Sequence, residues 1–320
     1  MPQNELPRHG GDLAAAERLY GRPEAPWLDL STGINPRPYP LPPLPDRLWH
    51  RLPEAGEVAA LLAAAARFFG VDAGAGVVAA PGTQALIQLL PRLRPPGRVA
   101  ILAPTYDEHA LAWTAAGHQV REIAHLDEFA DADVVVVVNP NNPDGRRLSP
   151  STLTALTRTL AARDGLVVVD EAFADAESQD SLAGSCGQPG LVVLRSFGKF
   201  FGLAGLRLGF AMAAPPLAAS IVEALGPWSV SAPAIAVGTV ALTDDAWGHA
   251  TRLWLGEMAR RLDSVLGQAG LDVIGGTVLF RLVRTPHAQP LYHALGRRGI
   301  LVRAFTARTD RLRFGLPDSG

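Results

Sequence analysis

The residues best suited to covalent chemistry lie in the segment LVVLRSFGKFFGLAGLRLG. Only one of the chain's 29 basic side chains is a lysine, Lys199, and it closely follows the apolar run Leu191–Leu194. A lysine amine can deprotonate and form a Schiff base with a carbonyl, whereas a guanidinium cannot. Ser196 and Arg207 can bind a phosphate by a hydrogen bond and a bidentate charged pair. The S-x-x-K spacing also occurs in serine β-lactamases, whose further motifs are absent here.

Two other apolar runs are followed by polar residues. Asp170 follows the run in LVVVDEAF, and Asn142 lies in VVVVVNPNNPDG. A carboxylate such as Asp170 can pair with a protonated pyridine nitrogen and make that ring an electron sink. An amide such as Asn142 can donate to a phenolic ring oxygen. Taken singly, the two residues also fit a helix cap and a Pro/Asn turn.

Two further segments supply an anion site and an aromatic ring. Gly82, Thr83 and Gln84 begin a predicted helix in APGTQALIQLL, where backbone N–H groups and a hydroxyl can bind an anion. Tyr106 in APTYDEH can stack on a pyridine face. The combined set predicts pyridoxal 5′-phosphate, with Lys199 and Asp170 as the catalytic residues.

These residues follow the ends of predicted strands in an α/β pattern. The apolar runs are continuous rather than alternating, which is typical of strands covered by helices on both faces. We therefore predict a large domain with a mainly parallel sheet that binds its ligand at the strands' carboxyl ends. The predicted strands are Val99–Leu102, Val120–Ile123, Val134–Val138, Leu166–Val169, Leu191–Leu194 and Leu208–Met212. The predicted helices are Gln84–Leu93, Glu108–Ala116 and Pro150–Ala162.

The last third of the chain predicts a smaller α+β domain. Two helical patterns, 232–242 and 245–270, precede short predicted strands and one more helix near 290–298. The Pro-rich stretch PRPYPLPPLPD is typical of an extended connector. We expect residues 1–45 to be an N-terminal segment that joins the small domain and the substrate site. Residues 46–225 would form the large domain, and residues 226–320 the C-terminal small domain.

Composition narrows the classes of partner. The net charge is −2 and no basic stripe is present, so we expect no nucleic acid and no membrane partner. The single cysteine, Cys186, excludes an internal disulfide and a multi-cysteine metal site, and we expect no metal. The N-terminus lacks the apolar core of a secretory signal. These features predict a cytoplasmic protein with a small-molecule substrate.

The ordered segments PGTQ, APTY, NPNNPDG, VVVDEAF and SFGKFFGLAGLRLGF resemble the class I/II aminotransferases, which are fold-type I, aspartate-aminotransferase-like pyridoxal-phosphate enzymes. The resemblance covers nearly the whole chain. It implies that Lys199 forms the Schiff base, Asp170 pairs with the pyridine and Asn142 donates to the ring oxygen. It also implies a stacking role for Tyr106. The implied phosphate site consists of Gly82, Thr83, Gln84, Ser196 and Arg207. The resemblance further implies a homodimer, and one more helix beyond the final PDSG.

Within this family two branches fit, threonine-phosphate decarboxylase and histidinol-phosphate aminotransferase. The segments RHGGD and LSTGINP resemble the decarboxylase branch, in which they approach the substrate. Two glycines after a histidine also free backbone N–H groups for an oxyanion. Phe173 in DEAF replaces a tyrosine common in aminotransferases, and Leu52 replaces a tyrosine that reaches the neighbouring subunit's phosphate. The implied substrate-binding residues are His9, Gly10, Gly11, Asn35, Arg303 and Arg313.

The expected reaction is the decarboxylation of L-threonine O-3-phosphate to (R)-1-amino-2-propanol O-2-phosphate in cobalamin biosynthesis. Amino transfer between histidinol phosphate and 2-oxoglutarate, in histidine biosynthesis, is the alternative. A regulatory module that binds the cofactor without turnover is a third alternative. It is disfavoured because only about 45 Pro-rich residues precede the large domain, where such regulators carry a DNA-binding domain.

Overall fold

The computed structural model describes residues 9–177 and 181–318, which divide into two compact units. The large unit comprises Pro38–Asn142 and Arg146–Ala250. The small unit comprises the described parts of Met1–Arg37, Pro143–Gly145 and Thr251–Gly320.

Both units combine helices and strands. The helices of the described residues are α1 (Leu13–Tyr20), α2 (Arg47–His50), α3 (Ala55–Phe69), α4 (Thr83–Leu89), α5 (Glu108–Ala115), α6 (Pro150–Ala161), α7 (Phe197–Phe200), α8 (Pro215–Leu225), α9 (Ala232–Thr243), α10 (Asp245–Gln268) and α11 (Ala288–Gly296). The strands are β1 (Leu28–Leu30), β2 (Gly76–Ala80), β3 (Arg98–Leu102), β4 (Gln119–Ile123), β5 (Val134–Val138), β6 (Leu166–Asp170), β7 (Leu191–Ser196), β8 (Gly209–Ala213), β9 (Asp272–Thr277), β10 (Phe280–Arg284), β11 (Ile300–Ala304) and β12 (Arg311–Gly315).

The large unit is built on a seven-stranded sheet in the order β2-β8-β7-β6-β5-β3-β4. Strands β3 to β7 run parallel, and β8 runs in the opposite direction between β2 and β7. Every residue of β5 and β6 is buried, which explains their unbroken runs of valine. The predicted α/β fold with a mainly parallel sheet is confirmed.

Strand register brings the carboxyl ends of four strands to one edge of this sheet. Val138 of β5 lies opposite Asp170 of β6, which lies opposite Leu194 of β7. Strand β2 is antiparallel to β8 and therefore runs in the same direction as β7. Gly209 of β8 lies opposite both Ala80 and Ser196. The loops that carry the predicted cofactor residues consequently leave the sheet at the same edge.

Capping residues mark where the main helices begin and end. Helix α3 begins with a capping box in which Glu54 and Glu57 satisfy each other's backbone N–H groups, and it ends at Gly70 in the left-handed conformation. Ser149 accepts a hydrogen bond from the Thr152 N–H at 3.1 Å and begins α6. Of these two helices, α6 was predicted from the sequence to within one residue, whereas α3 was not predicted.

The small unit has a five-stranded sheet in the order β1-β11-β12-β10-β9. Strand β1 is parallel to β11, and the other pairs are antiparallel. Arg303 and Arg313 are direct register partners on β11 and β12. Opposed residues in an antiparallel pair point to the same face of the sheet.

Sequence patterns gave no indication of two strands, β1 and β2. Strand β1 has only three residues, and β2 lies in the Gly- and Ala-rich segment DAGAGVVAAPG, so apolar periodicity is weak in both. Helix α9 belongs to the large unit, whereas the predicted boundary at 225/226 separated it from that unit. The physical reason is close packing against α3: a Cβ atom on Gly238 of α9 would come within 3.0 Å of Leu61.

Among the described residues, no helix has the length and apolar character required to cross a bilayer. Within the same residues, no group of three His, Cys, Asp or Glu side chains is arranged to hold a metal ion.

Candidate active site

Lys199 lies in the short helix α7, directly after strand β7. Its side chain is half-buried, and Nζ lies 5.6 Å from the centre of the Phe173 ring. Phe173 is 4% exposed, so the amine faces an apolar ring on one side. The strand end and the following turn therefore present this amine at the sheet edge where ligands bind in such folds.

An aromatic cluster supports the turn that carries the lysine. The rings of Phe197 and Phe201 stack at 4.2 Å, and Phe201 stacks on Trp247 at 5.5 Å. The Tyr39 N–H donates to the Phe201 carbonyl at 2.9 Å, and its hydroxyl donates to Asp244 at 3.2 Å. The Pro-rich segment around Tyr39 is thus anchored onto this turn, which limits where Lys199 can move.

Asp170 ends strand β6 and is 3% exposed. Its Oδ1 accepts from the Ala172 N–H at 3.0 Å, and its Oδ2 lies 2.9 Å from His109 Nε2. His109 is itself 1% exposed. With its Nε2 protonated, this ring donates to the carboxylate and holds it in one orientation. A buried carboxylate held in this way is suited to pairing with a cationic ring nitrogen.

Sequence reasoning missed His109. The signal was present in APTYDEH, because His109 stands three residues after Tyr106 and lies in the first turn of α5. Its partner lies 61 residues away along the chain, however, and no sequence pattern indicates that pairing.

Tyr106 lies against His109 in an edge-to-face arrangement, with ring centres 6.3 Å apart. Its hydroxyl donates to Gln84 Oε1 at 3.3 Å, and Gln84 Nε2 donates to Glu108 at 2.9 Å. Burial, followed by the nearby charge of Glu108, raises the pKa of Tyr106 to about 12. The hydroxyl therefore stays neutral, and the ring is held against the histidine that binds Asp170.

Gly82, Thr83 and Arg207 form a compact cradle. Gly82 has φ +84°, and a Cβ atom there would lie 2.6 Å from Arg207 Nη2, so a side chain does not fit. A Cβ atom on Gly209 would lie 2.4 Å from the Thr83 nitrogen. The Thr83 hydroxyl donates to the Arg195 carbonyl at 3.0 Å and ties the start of α4 to β7. Backbone N–H groups and a guanidinium thus meet in one place, as a phosphate requires.

A buried ion network lies beside the cradle. Arg195 is 4% exposed, and its Nη2 contacts Glu171 at 2.9 Å and donates to the Ser181 hydroxyl at 2.6 Å. Its Nη1 contacts Asp175. The neighbouring Ser196 ends β7 and is half-buried. The guanidinium of Arg195 is thus directed at these side chains and not at a ligand. The network stabilises the strand end that presents Ser196 and Lys199.

Asn142 is half-buried in the loop that follows β5. Its neighbour Asn141 is fully buried, with Nδ2 donating to the Pro104 carbonyl at 2.8 Å and Oδ1 accepting from the Thr105 hydroxyl at 2.6 Å. Asn141 thereby connects this loop to the loop that carries Tyr106. Only the structure reveals this role of Asn141.

The residues of the large unit fit pyridoxal 5′-phosphate. The only lysine of the chain supplies an amine, and Asp170 supplies a buried carboxylate with a fixed orientation. Gly82 leaves room beside Arg207 that a Cβ atom would fill. This donor set matches an aldehyde, a pyridine nitrogen and a phosphate.

The predicted substrate residues lie in the small unit. His9 and Gly10 line one pocket together with Ser31, Tyr292 and Arg303. Arg8, which begins the RHGGD motif, lies outside the described residues.

Three other predicted substrate residues have defined partners in this unit. The Gly11 N–H donates to Ser31 Oγ at 2.7 Å, and Arg313 Nη2 donates to the Ser31 carbonyl at 2.9 Å. Asn35 is 1% exposed, and its Oδ1 accepts from the Arg37 N–H at 2.9 Å. Asn35 therefore stabilises its own loop.

The chain resembles proteins of known activity across nearly its whole length. A family model described as aminotransferase class I and II matches residues 45–319. The threonine-phosphate decarboxylase of Pseudomonas aeruginosa is 47% identical over 312 residues, covering 97% of this chain and 92% of the relative. The threonine-phosphate decarboxylase of a Sinorhizobium species is 49% identical over 318 residues, covering 97% of this chain and 94% of the relative.

A solved structure supports the fold. The histidinol-phosphate aminotransferase from Sinorhizobium meliloti, in complex with pyridoxal-5′-phosphate, matches with a TM-score of 0.80 at 20% identity, covering 96% of this chain and 90% of that chain. Because the family model matches most of the chain and both decarboxylases match nearly all of it, this chain belongs to the aminotransferase class I and II family.

Proposed function

We propose that this chain is a pyridoxal-5′-phosphate-dependent decarboxylase that converts L-threonine O-3-phosphate into (R)-1-amino-2-propanol O-2-phosphate and CO2. The observation that carries the proposal is the 47% and 49% identity to two threonine-phosphate decarboxylases across 97% of the chain. The geometry of the described residues supports it in both units.

In the large unit, Lys199 attaches the cofactor through Nζ, and Asp170 pairs with its pyridine nitrogen while His109 holds the carboxylate in place. Asn142 donates to the ring oxygen, and Tyr106 stacks on the ring. The phosphate is held by Gly82, Thr83, Gln84, Ser196 and Arg207. When bound, the cofactor supplies an electron sink that stabilises the charge left on Cα when one of its bonds breaks.

In the small unit, two arginines suit a substrate with two anionic groups. Arg303 and Arg313 are directly opposed on one face of the sheet. Like charges placed directly opposite each other are destabilising, and bound anions relieve that repulsion. Arginine forks also bind carboxylate and phosphate with defined geometry. L-threonine O-3-phosphate has one of each, so this pair of arginines fits the substrate of the decarboxylase.

Fixing both anions determines which bond at Cα is broken. The arginines would therefore select the reaction by orienting the substrate, because the choice between the bonds at Cα depends on positioning. We assign the carboxylate to Arg313, and His9, Gly10, Gly11, Asn35 and Arg303 to the remainder of the substrate. After the Cα–carboxylate bond breaks and CO2 leaves, Lys199 Nζ delivers the proton that Cα requires.

The test uses the cofactor-loaded protein with L-threonine O-3-phosphate and no oxo-acid. We expect multiple turnovers of CO2 and formation of aminopropanol phosphate, detected by mass. The matched control is Lys199→Ala, which should release no CO2. Amino transfer from histidinol phosphate to 2-oxoglutarate without CO2 release would refute the proposal and support the aminotransferase. Absence of turnover with either substrate would support a regulatory module.

We also propose that the enzyme is a cytoplasmic homodimer that acts in cobalamin biosynthesis, where its product would form part of the corrinoid side chain. Exposed bulky side chains support the dimer: Trp49 and Leu52 are 64% and 62% exposed, and Trp228 is 60% exposed. Tryptophan is enriched in protein interfaces relative to the rest of the surface. Light scattering should give the mass of two chains, and Trp49→Ser should weaken association; a monomeric wild type would refute this part.

A further inference from the structure

Ser31 is a hub of hydrogen bonds in the small unit. It is 1% exposed and directly follows strand β1. Its hydroxyl donates to Asp29 Oδ1 at 2.5 Å, and its N–H donates to the same oxygen at 2.9 Å. Because the hydroxyl proton is committed to Asp29, a lone pair of Ser31 Oγ accepts from the Gly11 N–H at 2.7 Å. Asp29 thus fixes the orientation in which Ser31 can bind the N-terminal segment.

The backbone of Ser31 makes two further contacts with predicted substrate residues. Its carbonyl accepts from Arg313 Nη2 at 2.9 Å, and Arg313 is 7% exposed. A Cβ atom on Gly10 would lie 2.3 Å from the same carbonyl oxygen, so only glycine permits this close approach. One residue therefore contacts both the His9–Gly11 segment and an arginine that lies 282 residues away along the chain.

Ser31 also lines the pocket that contains His9, Gly10 and Arg303. The segment around His9 has no strand pairing to hold it, since residues 9–12 precede helix α1. A segment near a chain terminus is poorly ordered unless it is tied to the core. The Gly11–Ser31 hydrogen bond is a tie of this kind.

We propose that Asp29 and Ser31 are positioning residues that fix the His9–Gly11 segment and Arg313 relative to each other. Substrate affinity then depends on Asp29 and Ser31. The proposal rests on the proposed function for the identity of the substrate. In this proposal neither Asp29 nor Ser31 contacts the reacting atoms. Their loss should raise the KM for the phosphorylated substrate more than it lowers kcat, because the cofactor residues belong to the other unit.

The experiment compares four variants in the cofactor-loaded enzyme. Ser31→Ala removes the acceptor of Gly11 and should raise KM about tenfold, as expected for the loss of one buried hydrogen bond. Asp29→Ala should have a similar effect. Asp29→Asn keeps an accepting oxygen and should stay within about threefold of wild type. Ser149→Ala, which removes a serine cap from α6 in the large unit, is the control and should leave KM unchanged.

Hydrogen exchange at the Gly11 amide provides a readout that does not require a substrate. We expect its exchange to accelerate at least about tenfold in Ser31→Ala, and to be unchanged in Ser149→Ala. Unchanged exchange in Ser31→Ala would overturn the inference, whatever the enzyme's reaction. Faster exchange with an unaltered KM would also overturn it.

KM is measured with whichever phosphorylated amine the wild type converts. Failure of the wild type to release CO2 from L-threonine O-3-phosphate would therefore refute the proposed function alone. The exchange rate and the KM for histidinol phosphate would still decide whether Ser31 positions the N-terminal segment.

Discussion

Replacing His109 tests whether the orientation of Asp170 matters for catalysis. His109→Leu has a similar volume and retains helix propensity in α5, but it removes the donor 2.9 Å from Asp170 Oδ2. A hydrogen bond to a charged group contributes about 1.5–3 kcal/mol. If that contribution acts on the charge developed during reaction, kcat falls about 10- to 160-fold.

The matched control is His118→Leu. His118 is 6% exposed and also lies within the large unit, where Nδ1 accepts from the Gly97 N–H at 3.2 Å and Nε2 contacts the Pro91 carbonyl at 2.9 Å. Neither of these two hydrogen bonds involves a predicted cofactor residue. We expect both variants to lose stability, but only His109→Leu to lose kcat.

The assay measures CO2 release at saturating substrate and cofactor, together with urea unfolding of each variant. A His109→Leu enzyme whose kcat stays within about twofold of wild type would refute the reasoning. So would an equal loss of kcat in His118→Leu, because the effect would then follow from stability rather than from Asp170.

Three further predictions concern the same unit. Borohydride reduction followed by mass analysis should attach one cofactor to the wild type and none to Lys199→Ala, and a labelled variant would contradict the assignment of the chain's only lysine. Gly82→Ala should weaken cofactor affinity about tenfold or more in a titration, because the added Cβ atom would lie 2.6 Å from Arg207 and residue 82 has φ +84°. The control is Gly205→Ala, since a Cβ atom at that position would have nothing within 4 Å. Arg195→Met should lower the free energy of unfolding by about 3–5 kcal/mol, because it leaves the buried carboxylate of Glu171 without its cationic partner. Arg51→Met, at an exposed pair with Glu54, should cost under about 1 kcal/mol, and equal effects in urea unfolding would contradict the argument.

The predicted fold and the order of the cofactor segments were accessible from sequence for a clear reason. Parallel strands that are covered on both faces produce continuous apolar runs, as in β5 and β6. The carboxyl ends of such strands meet at one edge, so the sequence pattern alone groups Asn142, Asp170 and Lys199. The assignment of helix α9 was not accessible in this way, because it depends on packing between Gly238 and Leu61.

The sequence by itself determined which residues have side chains suited to chemistry: a single lysine after a predicted strand, an aspartate after another, and glycines at a predicted anion site. Only the tertiary structure decided which residues support them. His109 reaches Asp170 across 61 positions, and Ser31 reaches Arg313 across 282. Local periodicity and motif spacing report on neighbours along the chain, whereas these hydrogen bonds exist only because folding brings distant segments within 3 Å of each other.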